Sequence, residues 1–125
     1  MSKDLDFVCN KCNFGLHYYY YAYVVNDKGE RVFCPPPNPE ATARKILGPG
    51  VTDELLKRRS GLNESFMCKN CLMEAVLDGS KDPLVCPACR SKELVRTREI
   101  LKKMCPKCKK GIIEENPARK NQPVA

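Results

Sequence analysis

Residues 66–90 read FMCKNCLMEAVLDGSKDPLVCPACR, and this stretch decides the fold because it holds two copies of the pattern Cys-x-x-Cys. Two residues between cysteines let a tight turn point both sulfurs at one ion, while the amides of the turn donate hydrogen bonds to the thiolates. The fourteen intervening residues, 72–85, are predicted to form a short hairpin that turns at Asp78-Gly79. The ligands of the predicted four-sulfur metal site are Cys68, Cys71, Cys86 and Cys89.

Two further Cys-x-x-Cys turns lie near the two ends of the sequence. Their cysteines are Cys9, Cys12, Cys105 and Cys108. Nested pairing would join these two turns in a second site around the inner one, which leaves Cys34 without a partner. In the alternative arrangement, Cys34 joins Cys9 and Cys12 in one metal site. The fourth ligand of that site would be either His17 or one cysteine of the last pair. Nesting is favoured because it places four thiolates on two well-formed turns.

The cysteines are expected to bind metal rather than to form disulfides. The first six residues carry acidic side chains where a signal peptide would need a basic and then an apolar stretch, so a cytoplasmic location is expected. Thiols stay reduced in that compartment. Structural four-cysteine sites most often hold zinc, although tetrahedral sulfur also suits iron. We therefore expect two Zn²⁺ ions and a chain that depends on them for folding.

The turn at 86–89, CPAC, followed by Arg90 and an apolar stretch from Leu94, resembles the second knuckle of a zinc ribbon or the similar rubredoxin knuckle. In those families a glycine often follows the second cysteine, where this chain has Arg90. The resemblance covers about residues 66–101 and implies a metal-stapled fold without specifying a function. The resemblance to rubredoxin implies a minor alternative function, that of an iron-containing electron carrier.

Together these patterns predict a small metal-stapled α+β fold, in which zinc-ribbon hairpins carry two short helices. Residues 1–113 are expected to form one zinc-stapled unit, and residues 114–125 a disordered tail. The inner ribbon is predicted to include a strand at 94–100. The elements predicted outside it are a tyrosine-rich hairpin at 14–33, two short helices within 39–61 and a short strand at 111–113.

Positive charge is concentrated late in the sequence. The formal net charge is +7; residues 1–89 carry 11 basic and 11 acidic side chains, whereas residues 90–125 carry 11 and 4. Two zinc ions on eight thiolates would lower the net charge by four, to +3. Overall charge is therefore weak support for nucleic-acid binding, and the local basic segment is better support.

Three functions from different classes fit the sequence. The first is binding of DNA or RNA, with basic side chains on phosphates and tyrosines stacking on bases. The second is a zinc-stapled accessory subunit of a protein complex, and the third is the iron electron carrier. Enzymatic activity is not expected, since the chain lacks a phosphate loop and an acid–base pair, and no segment is long and apolar enough to cross a membrane. The candidate nucleic-acid residues are Arg96, Arg98, Lys102, Lys103, Lys107, Lys109, Lys110, Tyr19 and Tyr21.

Overall fold

The computed structural model describes residues 2–116; position 1 and residues 117–125 lie outside the described part. This part is a small α+β structure with one antiparallel sheet and two α-helices. In chain order, the elements are β1 (Ser2–Cys9), β2 (Gly15–Val25), β3 (Arg31–Cys34), α1 (Pro39–Leu47), α2 (Asp53–Arg59), β4 (Ser60–Cys68), β5 (Glu74–Leu77), β6 (Leu94–Arg96), a 3-10 turn (Thr97–Ile100) and β7 (Ile113–Glu115).

The sheet is built around the long strand β2. Its strand order is β5-β4-β2-β1-β7. Strand β1 pairs with the first half of β2, and β3 pairs with the second half of the same edge, from Ala22 opposite Cys34 to Val25 opposite Arg31. One edge of β4 is shared in a similar way. The first half of β4 pairs with β2, and the last three residues of β4 pair with β6. The strands β2 and β4 therefore connect all other parts of the sheet.

The two ends of the sheet differ in what covers them. At one end, α1 packs on β2 and β3 and α2 packs on β2 and β4, and their apolar side chains Ala43 and Leu56 form a cluster with Val24 and Cys34. We call this the helix end. The last residue of β1, Cys9, lies beside the start of β2, and β4 runs antiparallel to β2 and ends at Cys68. Both pairs of Cys-x-x-Cys turns therefore lie at the opposite end, which we call the metal end.

Short helices form at the helix end because their termini are capped. The Asn38 side chain accepts a hydrogen bond from the amide of Ala41 at 3.1 Å, and Pro39 occupies the first helical position. The Thr52 hydroxyl accepts one from the amide of Leu55 at 3.1 Å. Helices of this length are marginal alone, so their stability comes from packing against the sheet.

Two predicted strand assignments were wrong. Residues 72–85 do not form a hairpin of their own, because β5 pairs with β4 across the turn at 68–71. The predicted turn at Asp78-Gly79 does form, since the amides of Lys81 and Asp82 donate to the carbonyl of Asp78, but it follows β5 without leading into a second strand. The strand predicted at 94–100 ends at Arg96, and a 3-10 turn buries Thr97 and Ile100. In both places, long-range pairing with β4 overrides the local pattern.

The predicted tail begins too early. Glu114 and Glu115 belong to β7, which pairs with β1 from Phe7 to Cys9, and the amide of Asn116 donates to the carbonyl of Asp6 at 2.8 Å. Residues 117–125 of that prediction lie outside the described part. The strand β1 itself has no counterpart among the predicted elements, although Phe7 and Cys9 alternate with more exposed neighbours.

Candidate metal centres

The inner group of four cysteines lies where β4 ends and β6 begins. The Sγ atoms of Cys68 and Cys89 are 3.6 Å apart, as are those of Cys71 and Cys86. Cys68 and Cys86 are buried and the other two are half-buried. All four sulfurs lie within 4.8 Å of one another, so one metal ion could contact all of them.

The outer group forms by nesting of the first and last turns. The Sγ atoms of Cys9 and Cys108 are 3.7 Å apart, and those of Cys12 and Cys105 are 3.8 Å apart. These sulfurs also lie within 4.8 Å of one another. The pairing of β1 with β7 brings the two turns together, because Cys9 lies opposite Ile113 in that ladder.

The sulfur spacing fits a tetrahedral metal ion. Four sulfurs at about 2.3 Å from a zinc ion would be separated by about 3.8 Å at tetrahedral angles. The closest sulfur pairs in the two groups are 3.6–3.8 Å apart. The residues present therefore fit two closed four-sulfur sites, whose eight ligands would leave no coordination position for a substrate.

Backbone amides point at the sulfurs, as a thiolate site requires. In the outer group, the amides of Lys11 and Cys12 donate to Cys9 Sγ at 3.3 and 3.4 Å. The amide of Gly111 donates to Cys108 Sγ at 3.4 Å. A Cβ atom at Gly111 would overlap Cys9 Sγ, so only glycine fits this contact.

The residue after the second cysteine adopts a left-handed conformation in three of the four turns. Leu72, Arg90 and Lys109 have φ angles of 66°, 67° and 60°. The amide of Arg90 donates to the carbonyl of Cys86 at 2.9 Å, which closes the turn. This conformation explains why glycine suits this position of the knuckle, and it strains an ordinary side chain.

Local hydrogen bonds make some thiols acidic. The Asn70 side chain, 3.5 Å from Cys89 Sγ, and the amide of Ser91 lower the pKa of Cys89 to about 6. The amides of Lys110 and Gly111 lower the pKa of Cys108 to about 6. A lowered pKa favours the thiolate, which is the form that binds metal.

One other sulfur in each group has a raised pKa. The amide of Phe14 lowers the pKa of Cys12, but desolvation and the three neighbouring sulfurs raise it to about 12. The pKa of Cys71 is about 12 for the same reasons, with Met73 as the amide donor. Four crowded sulfurs cannot all ionise without a cation, and a divalent metal ion stabilises the thiolate form of each.

The two alternative ligands lie elsewhere. Cys34 is buried at the helix end, where its thiol lies 3.6 Å from the carbonyl of Val32, and burial raises its pKa. The His17 ring lies 4.8 Å from the Tyr19 ring at an angle of 45°, and the His17 amide donates to Glu74 at 2.8 Å. Neither residue belongs to a four-sulfur group, so the structure adopts the nested arrangement.

Exposed lysines surround the outer group. Lys102 and Lys103 precede the last Cys-x-x-Cys turn, and three further lysines lie in or just after it. The side chains of all five are exposed to solvent. Lys11, which sequence reasoning missed, is exposed on the facing turn. None of the ion pairs formed within residues 2–116 involves a member of this set. We call the set the lysine collar; it comprises Lys11, Lys102, Lys103, Lys107, Lys109 and Lys110.

Arg96 and Arg98 occupy a different environment. The Nε atoms of Arg96 and Arg98 lie 3.1 and 3.2 Å from the two carboxylate oxygens of Glu64. Glu64 is buried and was missed, because an isolated glutamate in a polar stretch gives no sequence signal. Arg96 and Arg98 therefore differ from the lysine collar, because a buried carboxylate pairs with both.

Tyr19 and Tyr21 form an aromatic row on one face of β2. Their rings are parallel within 2° with centroids 6.3 Å apart, and Tyr21 meets Phe33 edge-on at 5.3 Å. Both tyrosines are half-buried, and Phe33 is 50% exposed. This row has the geometry of a stacking surface, which also suits a protein interface.

No helix in the described part of the chain has the length and apolar character needed to span a membrane. Comparisons with protein-family models, with curated proteins and with solved structures gave no match to this chain. The cysteine groups therefore support a metal-binding protein by geometry alone.

Proposed function

We propose that this is a two-zinc protein whose lysine collar binds the phosphate backbone of a nucleic acid. The observation that carries the proposal is the collar itself, a set of exposed lysines around the outer cysteine group without ion-pair partners in the described residues. Lysines of this kind release condensed counterions when they contact phosphates. Zinc is proposed over iron because closed four-cysteine structural sites most often hold zinc.

The aromatic row supports binding of a single strand. Tyr19, Tyr21 and Phe33 present ring faces and edges along β2, and bases stack on such surfaces regardless of sequence. His17 lies at the end of the row nearer to the metal end. A strand that contacts the collar could therefore place its bases along the row.

The proposal is tested by the salt dependence of binding to single-stranded and duplex DNA and RNA. Affinity should fall steeply with salt, with a slope of about −0.7 per phosphate contact for single strands. Changing Lys103, Lys107 and Lys110 together to glutamine should flatten that slope by about two units, which corresponds to three lost contacts. The matched control changes Lys28, Lys45 and Lys57 to glutamine, which removes equal charge from exposed positions at the helix end. Equal effects of the two triple variants would contradict the proposal.

A protein-interaction role is the second candidate, and the exposed apolar side chains favour it. Phe33 is 50% exposed and Met73 is 55% exposed. The Tyr21→Ala variant separates the two functions. It should weaken single-strand binding without changing the salt slope if the row stacks bases. An accessory subunit would instead show no binding to any nucleic acid at low salt.

A further inference from the structure

A second site lies on the opposite face of the sheet from the aromatic row. A cleft of about 450 Å³ opens between β2, β4 and the segment 78–80. Its size falls in the range of small-molecule sites. The side chains of Tyr18, Tyr20, Arg96 and Arg98 line it, with Glu64 among them.

Both arginines pair with the buried Glu64 carboxylate. The Nε atom of Arg96 donates a hydrogen bond to one oxygen at 3.1 Å, and the Nε atom of Arg98 forms an ion pair with the other oxygen at 3.2 Å. The Arg96 guanidinium also lies over the Phe66 ring at 5.5 Å. A Cβ atom at Gly79 would crowd the Nη2 atom of Arg96, so the absence of a side chain there admits the guanidinium. Within the described residues, the Nη groups of both arginines donate no hydrogen bond to protein.

In this cleft the carboxylates already have partners, and the arginine Nη groups are available to donate hydrogen bonds to a ligand. The carboxylate of Asp78 also lines the cleft, but its oxygens accept hydrogen bonds from Tyr23 at 2.6 Å and from the Ser80 hydroxyl at 2.7 Å. Glu64 uses both oxygens on the arginines. An oxyanion would thus meet free N–H groups, whereas a cation would find carboxylates that are already satisfied.

We infer that this cleft binds a phosphate monoester of nucleotide size, with its oxygens on Arg96 and Arg98 and its planar base against Tyr20. Paired guanidinium groups suit a dianionic phosphate because each can donate two parallel hydrogen bonds. Tyr18 and Tyr20, whose rings are 6.0 Å apart, supply the apolar wall that a base requires. The phosphate could belong to a free nucleotide or to the 5′ end of a strand. The site is separate from the lysine collar, so either proposal can fail alone.

The test is calorimetric titration of the zinc-loaded full chain with AMP, adenosine and inorganic phosphate. AMP should bind at least about tenfold more tightly than adenosine, because adenosine lacks the group that the arginines hold. Arg98→Gln should weaken AMP at least about tenfold. Arg98 is suitable because its side chain is 56% exposed, so the variant should fold. The matched control is Arg58→Gln, an arginine that contacts one carboxylate on α2, and it should change AMP affinity less than twofold.

Further measurements identify the source of the phosphate. Tighter binding of a 5′-phosphorylated trinucleotide than of AMP indicates a strand end, and equal or weaker binding indicates a free nucleotide. Tyr20→Leu should weaken AMP but leave inorganic phosphate unchanged. Equal affinity for AMP and adenosine, or an Arg98→Gln effect no larger than that of Arg58→Gln, overturns the inference. Absence of AMP binding at millimolar concentration overturns it as well.

Discussion

The metal end and the helix end are stabilised by different means. The metal end contains eight cysteines in two groups. The outer group lies in an apolar cluster with Phe7, Met67 and Ile113, and the inner group lies in one with Phe66 and Leu94. The helix end has capped helices, an apolar cluster around Val24 and a buried hydrogen bond from Tyr23 to Asp78. The comparison shows that packing alone stabilises the helix end, whereas the packed metal end also depends on ligands that ionise when metal binds.

Removal of metal should have the largest effect. Structural zinc sites contribute about 10–16 kcal/mol each in isolated peptides, more than a small core supplies. The strands β2 and β4 extend from the metal end toward the helix end. Chelation should therefore abolish the helical signal in circular dichroism as well as the sheet signal. A helical signal that persists would show that the helix end folds independently.

The Gly111→Ala substitution should damage the metal end alone. The added methyl group would overlap Cys9 Sγ, so the outer group must shift. Overpacking of this kind costs about 1–3 kcal/mol. The control is Gly50→Ala, where nothing lies within 4 Å of the new atom. In a competition with chelator, Gly111→Ala should lose one metal ion earlier than the wild type and keep the other unchanged. Loss of both ions together would show that the two sites are coupled.

The Asp78→Asn substitution tests the helix end. Its effect on stability should be smaller than that of metal removal. Burial alone would raise the pKa of Asp78, but hydrogen bonds from Tyr23 and Ser80 outweigh it, and the pKa lies below its ordinary value. A folded-state pKa below the unfolded one stabilises the protein above about pH 4, and this contribution disappears as the pH falls through the folded pKa.

The variant should therefore lower the free energy of unfolding by about 1–3 kcal/mol at pH 7. The difference from the wild type should shrink as the pH falls through the folded-state pKa of Asp78, which lies below its ordinary value, since both side chains are uncharged below it. Denaturant titration at pH 7 and at several values below about pH 4 measures both quantities. Asp53→Asn, at an exposed carboxylate paired with Arg44, is the control and should have the smaller effect at pH 7. A difference for Asp78→Asn that grows toward low pH would contradict the account.

The smallest predicted effect is a gain in stability. Arg90 has a φ of 67°, and relief of this strain by Arg90→Gly is expected to stabilise the inner turn by about 1 kcal/mol. The same change at Lys92, which follows two residues later without a positive φ, serves as the control. Thermal unfolding of the zinc-loaded protein compares them. A lower melting temperature for Arg90→Gly than for Lys92→Gly would show that the arginine side chain contributes more than its strain costs.

The sequence predicts the metal end better than it predicts the sheet. Spacing alone places the four cysteines of the inner group together, because ligand geometry is local. Nesting of the outer group could be favoured but not decided, since it depends on the pairing of β1 with β7 across the whole chain. The role of Glu64 was invisible, because only the fold brings it to Arg96 and Arg98. Long-range strand pairing accounts for most of what was missed.

The most direct test of the account is the number of metal ions retained by cysteine variants in native mass spectrometry. The wild type should hold two ions, and Cys34→Ser should also hold two because Cys34 lies outside both groups. Cys9→Ser and Cys105→Ser should each hold one, and so should the double variant, because both residues belong to the outer group. Adding Cys86→Ser to either should remove the last ion. A Cys9→Ser/Cys105→Ser variant that holds no metal, while each single variant holds one, would contradict the nested arrangement.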